Sequence, residues 1–189
     1  MASAPASTVR SGFVTVTAKV SIAVGVAATL YALLQVLVAL LVLGQDEAGQ
    51  VLAFLATQPV PAPALWVLAH LTAIAVGFLL ACAAFLAVSV GLLRRQAWGW
   101  WGFVAFMVGG AAANFAGIAA IDALFDWIGA LPHAPDTAPL LAELEALRTL
   151  SLAMLWTTAL VFAVLHGLVV WQLCRPAVWA EFGMARPPR

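Results

Sequence analysis

The chain has 189 residues, of which 65% are hydrophobic and 8% are charged, and its mean hydropathy is +1.08. A soluble domain is about half apolar and about a quarter charged, so this chain has too few charged residues to cover a water-soluble surface. The formal net charge is zero, which gives no reason to expect nucleic acid as a partner. The composition therefore predicts an integral membrane protein in contact with a lipid bilayer.

Four apolar runs divide the chain. We predict an N-terminal segment over residues 1–19, a transmembrane domain over residues 20–174 and a basic tail over residues 175–189, with spans at 20–43, 65–93, 98–125 and 150–174. At about 1.5 Å per residue, the first run exceeds the ~30 Å hydrocarbon core of a bilayer, so it can span with some tilt. It is also longer than the apolar core of a signal peptide, which favours an uncleaved span. The predicted fold is all-α, an antiparallel four-helix transmembrane bundle.

Basic residues are distributed unevenly between the two sides of this topology. Arg148 lies on one side, and seven lie on the other: Arg10, Lys19, Arg94, Arg95, Arg175, Arg186 and Arg189. Short loops rich in Lys and Arg stay in the cytoplasm, so we expect both termini there. Glu181 is the one acidic residue predicted on the arginine-rich side.

The loops predicted outside the cytoplasm contain prolines and short apolar segments. Residues 51–55 are apolar, too short to span and followed by prolines, which predicts a short interfacial helix. In the second loop, Asp136 or Thr137 can cap a helix that has Pro139 in its first turn. A helical leucine pattern extends this helix from about residue 139 into the fourth span (Leu140, Leu144, Leu147, Leu150).

Residues 91–101, GLLRRQAWGWW, form the turn between the second and third spans. Trp98, Trp100 and Trp101 are expected in the aromatic belt at the membrane surface. Arg94 and Arg95 are expected to anchor the turn there, with lipid head-group contact as a minor addition. The whole turn is therefore interpreted as an interfacial anchor.

Two short stretches resemble a known group of proteins. Residues 10–16, RSGFVTV, and residues 91–98, GLLRRQAW, are similar to stretches in uncharacterised small four-span bacterial inner-membrane proteins. The resemblance implies a multi-pass protein of the bacterial inner membrane. It implies no activity.

Sequence motifs for catalysis are absent. The chain has no G-x-S-x-G, H-E-x-x-H or Walker loop. Cys82 and Cys174 form no C-x-x-C, so a disulfide framework and a cysteine zinc site are both unsupported. We therefore expect a non-enzymatic protein that needs no metal or cofactor.

Polar residues inside the spans are the candidates for a ligand site: His166, Asn114, Gln35 and Thr29. His166 lies near the midplane, where an ionisable side chain is a functional hypothesis by default, at the depth of Thr29 and about one turn from Cys82. Gln35 and Asn114 are expected to share a level and to hydrogen-bond across the bundle. Each arrangement also has a purely structural interpretation.

Haem is a further alternative, since imidazole is an axial ligand and the spans contain His70 and His166. Counted from the cytoplasmic ends of their helices, His70 lies about 34 Å deep and His166 about 12 Å deep. Two histidines roughly 20 Å apart along the membrane normal cannot share one iron. A redox haem protein therefore ranks third.

Small residues recur every four positions in each span, a pattern typical of closely packed membrane helices. The stripes are Ser21, Gly25 and Thr29; Ala69, Ala73, Gly77 and Ala81; Gly109, Ala113 and Gly117; and Ala159, Ala163 and Gly167. We expect them to form contacts within the bundle, with chance or contact with another protein left open.

The expected function is contact of helices or outer loops with a protein partner or a second copy. The alternative is a small-ligand binder or transporter with a polar site near His166.

Overall fold

The computed structural model describes residues 11–43, 49–50, 53–54, 57, 60, 62–130 and 138–184. This part of the chain is helical, contains no strand, and confirms the all-α prediction. Its helices are α1 Gly12–Leu43, α2 Ala62–Ala69, α3 Leu71–Leu93, α4 Ala97–Gly129, α5 Ala138–Leu173 and α6 Pro176–Glu181.

The helices α1, α3, α4 and α5 are long and apolar enough to cross a membrane. Large apolar side chains along them are exposed, including Leu41 at 71% and Met154 at 63%. Exposed side chains of this kind are expected where a helix faces hydrocarbon, and they would be costly in water. The length and composition of the four helices make this a multi-pass membrane protein.

The predicted second span is interrupted in the structure. The sequence predicts one helix over residues 65–93, whereas α2 and α3 are separated by a turn at His70. The Nδ1 atom of His70 lies 2.8 Å from the Trp66 carbonyl oxygen, which also accepts the His70 backbone N–H at 3.0 Å. The Ile74 N–H also donates to the His70 carbonyl oxygen at 2.8 Å, so the helical backbone bonds of His70 are kept and the irregularity is confined to one residue.

The two predicted outer segments have different outcomes. A helix continuous with the fourth span is seen, because α5 runs unbroken from Ala138 to Leu173, and its position outside the bilayer stays a prediction. In the first loop predicted to lie outside, residues 53–54 are helical, and the remainder of the interfacial helix predicted at 51–55 lies outside the described residues. The predicted caps Asp136 and Thr137 also lie outside them.

The chain divides into two compact units, each built from parts of several helices. The first comprises Met1–Leu37, Ala75–Phe106 and Leu168–Arg189, and the second comprises Val38–Ile74 and Met107–Gly167. Within the first unit, the antiparallel helices α3 and α4 approach closely. A Cβ added to Gly99 would lie 2.8 Å from Gly91 Cα, and one added to Gly102 would lie 2.8 Å from Val88 Cγ2. These glycines allow the two backbones to meet next to their connecting turn.

Within the second unit, α4 and α5 pack through aromatic and charged side chains. The rings of Phe115 and Trp156 are 5.7 Å apart between centroids. Ile118 of α4 and Ala159 of α5 are buried, and both are 4% exposed. Arg148 of α5 pairs with carboxylates of α4. This unit therefore combines apolar packing with an ion-pair cluster.

The small-residue stripes differ from the expectation of contacts within the bundle. Gly25 is packed, since an added Cβ would lie 3.3 Å from Leu86 Cα. At four stripe glycines, no described atom lies within 4 Å of an added Cβ: Gly77, Gly109, Gly117 and Gly167. The expectation is therefore wrong at these positions, because a small residue permits a close approach but does not by itself bring a helix there.

Candidate functional site

The turn after α3 has an arginine in the backbone conformation that glycine usually adopts. Arg95 has φ of 59°, in the left-handed region. The Gln96 N–H donates to the Gly91 carbonyl oxygen at 3.0 Å, and the Arg95 N–H donates to the Leu92 carbonyl oxygen at 3.1 Å. These two bonds form a Schellman helix end with Arg95 at the C′ position. A side chain there costs roughly 1–2 kcal/mol, so other contacts must compensate for it.

The side chain of Arg95 makes those contacts. Its Nε donates to Glu181 Oε2 at 2.8 Å, and its Nη2 donates to Thr15 Oγ1 at 3.0 Å and to the Ser11 carbonyl oxygen at 3.1 Å. Glu181 Oε1 accepts the Ser11 N–H at 2.9 Å. The Arg95 and Glu181 side chains are only 9% and 6% exposed. This group, Ser11, Thr15, Arg95 and Glu181, is called the arginine cluster below, and it joins α1 and α6 to the turn.

The tryptophans beside the turn have two different environments. Trp100 is 2% exposed, and its Nε1–H donates to the Leu173 carbonyl oxygen at 3.1 Å. Its ring contacts Trp179 edge to face, with 5.3 Å between centroids. Trp98 and Trp101 are 53% and 58% exposed. Trp100 therefore links α4 to the end of α5 and to α6, whereas the side chains of Trp98 and Trp101 are exposed.

The anchor interpretation of the turn stays a prediction, and the residues assigned to it differ in exposure. Arg94, Trp98 and Trp101 are exposed, which agrees with an interfacial position. Arg95 and Trp100 have their polar groups bonded inside the protein, which leaves neither available for lipid head-group contact. One observation in the sequence favours the ion pair between Arg95 and Glu181, because Glu181 is the one carboxylate predicted on the arginine-rich side.

The polar residues predicted inside the spans are not brought together as one site by the described contacts. The Thr29 hydroxyl donates to the Gly25 carbonyl oxygen of its own helix at 2.7 Å. Gln35 is half-buried in the first unit, and Asn114 is exposed in the second. Their predicted hydrogen bond, like the predicted neighbourhood of His166 and Thr29, stays a prediction.

His166 has an unusual environment within the second unit. Its Nδ1 atom is buried and has no hydrogen-bond partner among the described residues. The ring lies 6.0 Å from Phe162 between centroids, and its Cε1 is 3.8 Å from a Cβ added to Gly110. Buried polar atoms are almost always hydrogen-bonded, so this nitrogen is a candidate position for a ligand donor.

A second cluster of charges surrounds Arg148. Its Nε donates to Asp122 Oδ1 at 3.0 Å, and its Nη2 contacts the same oxygen and Asp126 Oδ1, the latter at 2.8 Å. Glu145 Oε2 lies 4.0 Å from Nη1. Asp122 and Asp126 are four residues apart, and Arg148 is the one basic residue predicted on the outer side, so the sequence could have indicated the pairing.

An open cavity of about 410 Å³ adjoins this cluster. It is lined by Phe125, Asp126, Gly129, Ala130, Leu141, Leu144, Glu145 and Arg148. Across the part of the chain that the structure describes, no group of three or more His, Cys, Asp or Glu residues could hold a metal ion.

Comparisons with protein-family models, with curated proteins and with solved structures found no match.

Proposed function

We propose that this protein is a bacterial inner-membrane protein that acts without catalysis, through contacts of its helices with a second copy or with another membrane protein. Both termini and the turn at residues 91–101 lie in the cytoplasm in this proposal. The distribution of basic residues supports it, with seven on the side of the termini and one on the other. The observation that carries the proposal is the exposure of small-residue faces on α3 and α4.

On α3, Gly77 and Ala81 are exposed and lie four positions apart. On α4, Gly109, Ala113 and Gly117 are exposed with the same spacing. The open glycines have no described atom within 4 Å of an added Cβ. A second helix can approach such a face closely and gain van der Waals contact that bulky side chains would prevent.

Three other glycines of the chain are covered by a neighbouring helix. At Gly91, Gly99 and Gly102, an added Cβ would overlap a neighbouring helix. The same residue type therefore serves close helix packing at one place and is left uncovered at another. The uncovered faces support a contact that the single chain does not make for itself.

Two alanines of α3 provide a matched test. Ala81 and Ala83 are both exposed, and they lie about 200° apart around the helix. Purification in mild detergent and native mass spectrometry should show the wild-type chain bound to a second copy or to another protein. Ala81→Leu should dissociate this complex, because leucine blocks the close approach, whereas Ala83→Leu should leave it intact. A wild-type chain that is purely monomeric, or equal behaviour of the two variants, would rule out contact through this face.

The second candidate function is binding or transport of a small ligand at His166. The buried, unpaired Nδ1 atom favours it, because an unsatisfied buried polar group costs about 1–3 kcal/mol that a ligand's hydrogen bond could recover. Native mass spectra of the wild type should then show a small-molecule adduct that His166→Leu removes. His70→Leu is the control, since His70 is exposed and its Nδ1 already bonds Trp66. A missing adduct in the wild type, or an adduct retained in His166→Leu, excludes this site.

An absorption spectrum without a Soret band excludes the haem alternative.

A further inference from the structure

The cavity beside Arg148 has excess negative charge at its edge. Arg148 is 24% exposed, and its guanidinium is held by Asp122 and Asp126. Asp126 and Glu145 line the cavity and are 65% and 69% exposed. One guanidinium thus faces three carboxylates, and its strongest contacts go to Asp122, which is not among the lining residues. The exposed carboxylates at the cavity are left with net negative charge.

The other residues that line the cavity are apolar or small. Phe125 of α4 and Leu141 and Leu144 of α5 contribute apolar side chains, and the small residues Gly129 and Ala130 leave space beside them. The volume of about 410 Å³ falls within the roughly 300–1,000 Å³ typical of ligand sites. The cavity therefore combines apolar side chains with exposed carboxylates.

We propose that this cavity binds an organic ammonium ion, with its charge at Asp126 and Glu145 and its apolar body against Leu141 and Leu144. An anion would find the Arg148 guanidinium already occupied by carboxylates. An inorganic cation would leave the apolar side chains unused. The ammonium group comes either from a free amine or from an amino lipid head group, and both present the same chemistry to the site. This site is separate from the helix faces of the proposed function.

The test uses the full-length protein in nanodiscs of phosphatidylglycerol, which has no ammonium group. Calorimetric titration with 2-phenylethylamine should show saturable binding that empty nanodiscs lack. Titration with 2-phenylethanol, which has a similar shape and no charge, should show much weaker binding. Absence of saturable amine binding, or equal affinity for the two compounds, would overturn the proposal.

Variants locate the binding to this cavity. Asp126→Asn and Glu145→Gln should each weaken amine binding by about threefold to fivefold, as expected for exposed ion pairs. Leu144→Trp should abolish binding by filling the cavity without changing its charge. Glu143→Gln is the control, because Glu143 is exposed on the same helix but does not line the cavity. If the two neutralised variants bind as tightly as this control, the assignment to the cavity is wrong.

Nanodiscs that also contain phosphatidylethanolamine distinguish the two sources of ammonium. A lipid head group in the site should compete, so the apparent affinity for 2-phenylethylamine would fall in the wild type. Unchanged affinity would identify a free amine as the ligand. Circular dichroism of each variant ensures that lost binding is not lost folding.

Discussion

Glu181→Ala should destabilise the protein strongly, because it leaves a buried guanidinium without its carboxylate. Glu181 accepts hydrogen bonds from Arg95 Nε at 2.8 Å and from the Ser11 backbone N–H at 2.9 Å. At 6% exposure of the Glu181 side chain and 9% of the Arg95 side chain, little water is available to replace the lost partner. The substitution also leaves the Ser11 N–H without its acceptor.

The expected loss is about 3 kcal/mol in the free energy of unfolding. Removal of one partner from a buried ion pair typically costs about 3–5 kcal/mol. The lower end applies here, because the Arg95 guanidinium keeps the oxygens of Thr15 and Ser11 as acceptors. Glu181→Gln should cost less, about 1–2 kcal/mol, since an amide oxygen still accepts hydrogen bonds without a charge.

Reversible unfolding in mixed micelles with increasing sodium dodecyl sulfate, followed by circular dichroism, measures this difference. Glu143→Ala is the control, because that carboxylate is exposed and should change stability by less than about 0.5 kcal/mol. A double-mutant cycle with Arg95→Ala should give a coupling between about 0.5 and 3 kcal/mol. If Glu181→Ala unfolds like the control, or if the cycle shows no coupling, the arginine cluster does not stabilise the fold as argued.

Two further substitutions, each with a control substitution, test the packing near the turn, with unfolding in the same micelles as the measurement. Gly99→Ala should destabilise by about 1–3 kcal/mol, because the new methyl group overlaps the backbone at Gly91. Gly77→Ala adds the same group where no described atom lies within 4 Å, so it should be neutral or stabilising, and equal effects of the two would contradict the close approach. Trp100→Phe should cost about 1–3 kcal/mol through loss of the buried N–H bond to the Leu173 carbonyl. Trp101→Phe, at an exposed position, should cost less than about 0.5 kcal/mol, and a larger loss there than at Trp100 would refute the assignment.

The helices were predictable because the bilayer imposes a length and a composition on each of them. The predicted spans at 98–125 and 150–174, with the outward extension to about 139, correspond to α4 Ala97–Gly129 and α5 Ala138–Leu173. The interruption at His70 was not predicted. The His70 ring nitrogen lies 2.8 Å from the Trp66 carbonyl oxygen, and hydropathy carries no information about such a contact or about a one-residue turn.

The contacts of the candidate sites were harder to predict, because they join residues that are distant in the chain. Ser11 and Glu181 are 170 positions apart, and Asp122 and Arg148 are 26 apart. Periodicity places a residue on a face of its own helix, but it does not identify the neighbour. Charge balance was the more informative observation, since Glu181 among the arginines and Arg148 among the carboxylates each stood out by sign and each has an oppositely charged partner.

Arg94 and Arg95 show that backbone position determines what a side chain does. The two are adjacent and chemically identical, yet Arg94 is exposed and Arg95 forms a buried ion pair. The left-handed φ at Arg95 accompanies this difference, as it falls at the C′ position where α3 ends. Gly183, with φ of 66°, occupies the corresponding position after α6 and needs no compensating contact. An arginine at C′ is strained by roughly 1–2 kcal/mol relative to glycine, whereas removing one partner from a buried ion pair costs about 3–5 kcal/mol, so a glycine at position 95 would lose more by leaving Glu181 unpaired than it would gain from the relieved strain. The side chain, rather than the backbone, therefore accounts for arginine at position 95, and its role there is to hold α1 and α6 to the turn.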